Sequence, residues 1–156
     1  MKKLIFATSL FVLVAAYATP VYSQISNRVG PMLSLASGDI DETGIGVVAE
    51  FGVAQKVSIA PQFILYFPGN DVNFFELNLN ANYYFFNQDI FEFYGLGGLN
   101  FARISNDNFS NSELGLNLGI GTNFEFGKKF IPFAELRFTI GDYDQLALGL
   151  GVKFGI

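Results

Sequence analysis

The most constraining feature of this chain is an alternation of period two that leaves neither face suited to water. The stretch Leu146–Ile156 reads LALGLGVKFGI. Leu146, Leu148, Leu150, Val152, Phe154 and Ile156 form one row; Ala147, Gly149, Gly151, Lys153 and Gly155 form the other. Period two is the signature of a β-strand with two unlike faces. A soluble sheet would carry Lys, Glu and Thr on its second row. A glycine row weakens a strand unless something packs closely against it.

The same alternation recurs along the chain. It predicts strands over Arg28–Ala36, Ile45–Val53, Val57–Phe67, Asn73–Phe85, Phe91–Ala102, Glu113–Phe126, Phe130–Ile140 and Leu146–Ile156. No segment has helical spacing. The connections at 54–56, 87–89 and 127–129 are short. SGDIDETG, PGNDV, ISNDNFSNS and GDYDQ, after the first, third, fifth and seventh strands, are mostly longer and acidic. Tight turns at one end and larger loops at the other predict an all-β, eight-stranded antiparallel up-and-down transmembrane β-barrel.

Which row points outward decides the medium. One row collects Val47, Phe51, Ile59, Phe63, Leu65, Leu77, Leu79, Leu116, Leu118 and Ile120. The other holds Ser34, Gln62, Asn78, Asn80, Asn82, Asn117 and Asn123, with many glycines between. An eight-stranded barrel has an interior just wide enough for side chains. It suits Gly, Asn and Ser but not that mass of Leu and Phe, so the apolar row is expected to face lipid. Strands of this length cross a bilayer when tilted. Outward aromatics gather near both strand ends, as interfacial girdles do: Tyr83, Phe85, Phe91, Phe93, Phe126, Phe130 and Phe154 at one, Phe67, Phe75, Phe101 and Phe138 at the other.

Residues 1–23 have the three-part layout of a secretory signal: Lys2 and Lys3, an apolar run from Leu4 to about Ala18, then Pro20 and Ser23. Cleavage is expected between Ser23 and Gln24, giving a barrel domain over 24–156. The chain has no Cys, so disulfides do not contribute outside the cytoplasm.

The leader, the eight strands, PFAELRF at 132–138 and the closing LALGLGVKFGI together resemble the small outer-membrane β-barrels of Gram-negative bacteria, of the OmpX and OmpA-barrel type. The resemblance covers the whole mature chain. It implies residence in the cell outer membrane, contact with outer-membrane lipid and lipopolysaccharide, and a monomer. It also implies recognition by the barrel-assembly machinery through the C-terminal strand. In that family the strand ends on an aromatic residue; here the chain ends on Ile156, with Phe154 two before it on the same face. The larger loops are expected outside and the short turns in the periplasm.

The chemistry lies in the inward row. Glu50, Glu76, Glu92, Glu113, Glu125 and Glu135 fall on it, with Arg28, Arg137 and Lys153 as the inward bases. Carboxylates in a narrow lumen are costly unless paired or hydrated. An ion-pair network of Arg28, Glu50, Glu76, Glu125, Glu135, Arg137 and Lys153 is therefore expected. Glu92, Glu113 and Glu125 lie near strand ends, where water can reach them. Such a network reads as polar filling rather than a proton or cation path, because the barrel is too small for an open pore.

Enzyme readings find no support: the chain has no His, the usual base of outer-membrane hydrolases. The carboxylates of GDIDETG at 38–44 lack calcium-loop spacing, so no metal and no cofactor are expected. Loss of Lys2 and Lys3 leaves seven bases against 14 acids, a net charge of −7 that argues against a nucleic-acid partner. Two readings remain, a structural or surface-interaction barrel and a transporter of small or apolar molecules, with a soluble lipocalin-like binder as a third. The transporter needs a cavity, which inward Gly115, Gly119, Gly121, Gly149 and Gly151 would leave unless Tyr66, Tyr84, Tyr94 and Phe133 fill it.

Overall fold

The computed structural model describes residues 25–38, 41–69, 72–127 and 129–156. The predicted leader lies outside the described residues, as do Asp39, Asp71 and Lys128 of the predicted loops and turns. The strands are β1 (Arg28–Gly38), β2 (Glu42–Ala54), β3 (Val57–Tyr66), β4 (Asn73–Gln88), β5 (Phe91–Asn106), β6 (Phe109–Phe124), β7 (Ile131–Gly141) and β8 (Gln145–Gly155). Each pairs antiparallel with the next, and β1 pairs with β8 from Arg28↔Gly155 to Gly38↔Gln145, closing the barrel. Closure matters because backbone N–H and C=O groups facing hydrocarbon have no water to bond; a closed ladder satisfies them internally.

The strands sit where the alternation places them; β1, β2, β4 and β5 run further, and β6 begins four residues earlier and ends two sooner. β4, β5 and β6 each have 16 residues. The ISNDNFSNS stretch, expected to be a loop, is a hairpin tip. Ser105 pairs with Ser110 and Asn106 with Phe109, so only Asp107 and Asn108 are left to turn. Glu42, expected in the first loop, begins β2. The contrast between short turns and larger loops is correspondingly weaker: the β6–β7 connection, 125–130, is as long as the β3–β4 connection, 67–72. Apolar alternation ends before the hydrogen-bond ladder does, which continues into polar sequence.

Two local devices fix the turn end. The β4–β5 turn is made by Asp89 and Ile90, with Asp89 at φ 54°, a left-handed conformation that Asp tolerates. The β4–β5 register slips between Tyr84 and Phe86. This bulge leaves Phe85 and Phe86 both exposed on the outer surface while Tyr84 still points inward. Phe86 packs edge-on against Phe93, and Phe91 against Phe124, extending the outer aromatic belt.

The two faces differ in kind. Val47, Leu77, Leu79, Leu116, Leu118 and Ile120 are exposed, while Arg28, Glu50, Gln62, Asn78, Asn117 and Arg137 are buried. A lipocalin-like barrel would have these rows exchanged. The inward glycines leave no open cavity where the large rings lie. A Cβ at Gly121 would run into the Tyr94 ring, and one at Gly151 into the Phe133 ring. Tyr66, Tyr84, Tyr94 and Phe133 are all buried.

Candidate functional site

The lumen's polar side chains form two sectors. The turn-end sector is built on Arg28 at the start of β1, Glu50 on β2, Glu92 on β5 and Lys153 on β8. Arg28 Nη1 donates to Glu92 Oε2 at 2.7 Å, and its Nη2 donates to Glu92 Oε1 at 3.3 Å and Glu125 Oε1 at 2.5 Å. Lys153 Nζ donates to Glu50 Oε2 at 2.9 Å and to Asn123 Oδ1 at 3.1 Å. The other Glu50 oxygen accepts Ser58 Oγ at 2.6 Å, Asn82 Nδ2 at 3.3 Å and the Tyr84 hydroxyl. Asn123 Nδ2 ties the two ion pairs together, donating to Glu92 Oε2 and Tyr84 Oη, each at 3.0 Å.

The loop-end sector is organised by one cation. Arg137 Nη2 donates to Glu76 Oε2 at 3.1 Å, and its Nη1 donates to Gln62 Oε1 at 2.6 Å and lies 3.7 Å from Glu135 Oε1. Neutral donors complete both carboxylates. Glu76 accepts Tyr66 at 3.3 Å, Asn78 at 3.4 Å and Tyr143 at 3.0 Å; Glu135 accepts Gln62 and Tyr94, each at 3.0 Å. An amide chain continues upward, with Asn117 donating to Asn78 and Asn80, and Thr139 donating to Asn117.

Tyr94 stands where the sectors meet, beside Lys153 and donating to Glu135. Lys153 Nζ sits 5.3 Å from the Tyr94 ring centroid and 4.6 Å from that of Phe133, both within cation–π range. The Tyr84 and Tyr94 rings pack with centroids 5.2 Å apart. No hydrogen bond between described residues joins one sector to the other.

No protein-family profile matches the chain, and no curated protein matches it. Solved structures do. The N-terminal β-barrel domain of Pseudomonas aeruginosa OprF is 23% identical, covers 84% of this chain and 98% of that one, and has a TM-score of 0.66. Ail, the attachment invasion locus protein of Yersinia pestis, is 19% identical over 84% of this chain and 97% of its own, with a TM-score of 0.58. Neisserial surface protein A is 15% identical over 83% and 96%, with a TM-score of 0.61. The chain has the fold of the small eight-stranded outer-membrane β-barrels.

In this outer-membrane barrel fold, closure places each candidate residue. Arg28, Glu50, Glu76, Glu135, Arg137 and Lys153 are all buried in the lumen. Glu125 lies just beyond β6 at the turn-end rim, with its side chain 35% exposed. Burial, and next the charge of Glu92, raise its carboxyl above the ordinary range against the pull of Arg28. Two participants were not in the expected network. Glu92, expected to reach water near a strand end, is buried and takes the Arg28 fork. Tyr143, in the connection after β7, turns into the barrel mouth and donates to Glu76 and to Asn100. Burial beside Glu76 raises its hydroxyl, which keeps it a donor. The inward parity of Glu92 was visible in the sequence; nothing in GDYDQ marks Tyr143 as inward. Glu113 shares the inward parity but is only half-buried, and bonds Asn111.

Proposed function

We propose that the protein is an integral outer-membrane barrel with a structural or surface-interaction role, and that its lumen does not conduct. The supporting observation is a lumen filled by polar side chains bonded to one another and by the buried rings of Tyr94 and Phe133 beside Lys153. A continuous hydrated path needs polar partners along its whole length, and rings occupy the middle of this one. The apolar outer face and closed ladder support residence in lipid, after export directed by residues 1–23. On this reading the protein is a monomer held in outer-membrane lipid and lipopolysaccharide. Its last strand, with Phe154 and Ile156 on the lipid face, is what the assembly machinery reads. No catalytic role is proposed.

The test has two arms. Unboiled protein should migrate differently from boiled protein on an SDS gel, because a closed barrel resists the detergent until heated. Recovery from the soluble periplasmic fraction without detergent would overturn membrane residence. In planar bilayers no stable channel is expected; large, steady single-channel currents would favour transport instead.

A further inference from the structure

We infer that residues 25–27 form a strap across the turn-end mouth of the lumen, so that this segment, rather than the barrel wall, governs access to the turn-end sector. The inference needs only the closed barrel and goes beyond the proposed role. β1 begins at Arg28, beside β2 and β8. Asn27 still belongs to that side, since its C=O accepts the N–H of Ile156 at 3.0 Å. Ile25 does not. It is 4% exposed and clusters with Tyr84, Tyr94 and Leu96. Those residues lie on β4 and β5, and in a closed ring of eight strands β4 and β5 stand opposite β8 and β1. Three extended residues span about 10 Å, enough to carry the chain inward from the wall.

The crossing is reinforced from beneath. Ser26 Oγ accepts from Arg28 Nε at 3.2 Å, and the same guanidinium reaches across to Glu92 and Glu125. Strap and ion pairs therefore close one opening together. The Ile25 side chain seats in the cluster, and a recess of about 500 Å³ beside it, lined by Gln55, Lys56, Asn87 and Gln88 among others, gives it a place to withdraw to. A short segment at a barrel rim, next to open space, belongs to the parts of a fold that open locally, without global unfolding.

The chain contains no Trp, so Ile25→Trp supplies a single reporter. In the folded barrel, verified by its heat-dependent gel shift, the emission should be that of an apolar environment and acrylamide should quench it poorly. Independently, a thiol placed by Leu96→Cys should react with a small maleimide at least about tenfold faster when Ile25→Gly is added, because the reagent no longer waits for local opening. Water-like Trp emission, or equal labelling rates in the two folded Cys proteins, would overturn the strap.

Discussion

The two lumen sectors use the same chemistry under different solvent access, and the difference shows what the barrel requires of its charges. At the loop end Arg137 serves both Glu76 and Glu135; all three are buried, and Tyr143 closes over Glu76. At the turn end two cations meet three carboxylates, one of which, Glu125, stands at the water boundary. Lumen charges taken from water need good geometry and further hydrogen bonds to offset desolvation. The sealed sector supplies these to its carboxylates from Tyr, Asn and Gln side chains; at the turn end Glu50 and Glu92 are served the same way, and Glu125 alone keeps part of its side chain exposed. The sealed sector is therefore the less tolerant of losing its cation.

Arg137→Ala breaks the comparison at its strongest point. It strands two buried carboxylates, and a cost of about 3–5 kcal/mol is expected when unfolding by denaturant is followed in lipid vesicles. Arg28→Ala strands Glu92 alone, because Glu125 can turn to water; about 2–3 kcal/mol is expected in the same assay. Equal losses would mean that the sectors have the same solvent access, against the exposure of Glu125 and the Tyr143 closure.

The smallest effect sharpens the turn end by pH. The Glu125 carboxyl is raised in the folded state, chiefly by burial. A carboxyl raised on folding favours the folded state below its ordinary value of about 4.3, and that contribution fades as pH rises through the raised value. Native protein should therefore lose a small increment of stability across that window, and Glu125→Gln should not. The increment reads as the difference between their unfolding midpoints at successive pH values. The opposite sign, with native protein gaining stability as pH rises, would mean that the Arg28 pair outweighs burial.

The contrast between faces was legible residue by residue. Leu77, Leu79, Leu116 and Leu118 alternate with Asn78, Asn80, Asn117 and glycines, and a narrow interior admits only the second set. Eight such segments determined the strands and the lipid-facing row, because alternation is local and each strand reports its own two faces. Alternation also assigned Arg28, Glu50, Glu76, Glu92, Glu135, Arg137 and Lys153 to the lumen. Only closure and register decided which of them meet. Arg28 reaches Glu92 across 64 residues and Lys153 reaches Glu50 across 103, distances at which a sequence carries no pairing signal. Tyr143 and Ile25 lie outside the periodic strands, so the alternation did not assign either to a face. They turn inward because two open barrel mouths remain after the strands have closed, and burying a ring or an isobutyl-sized chain there removes apolar surface from water.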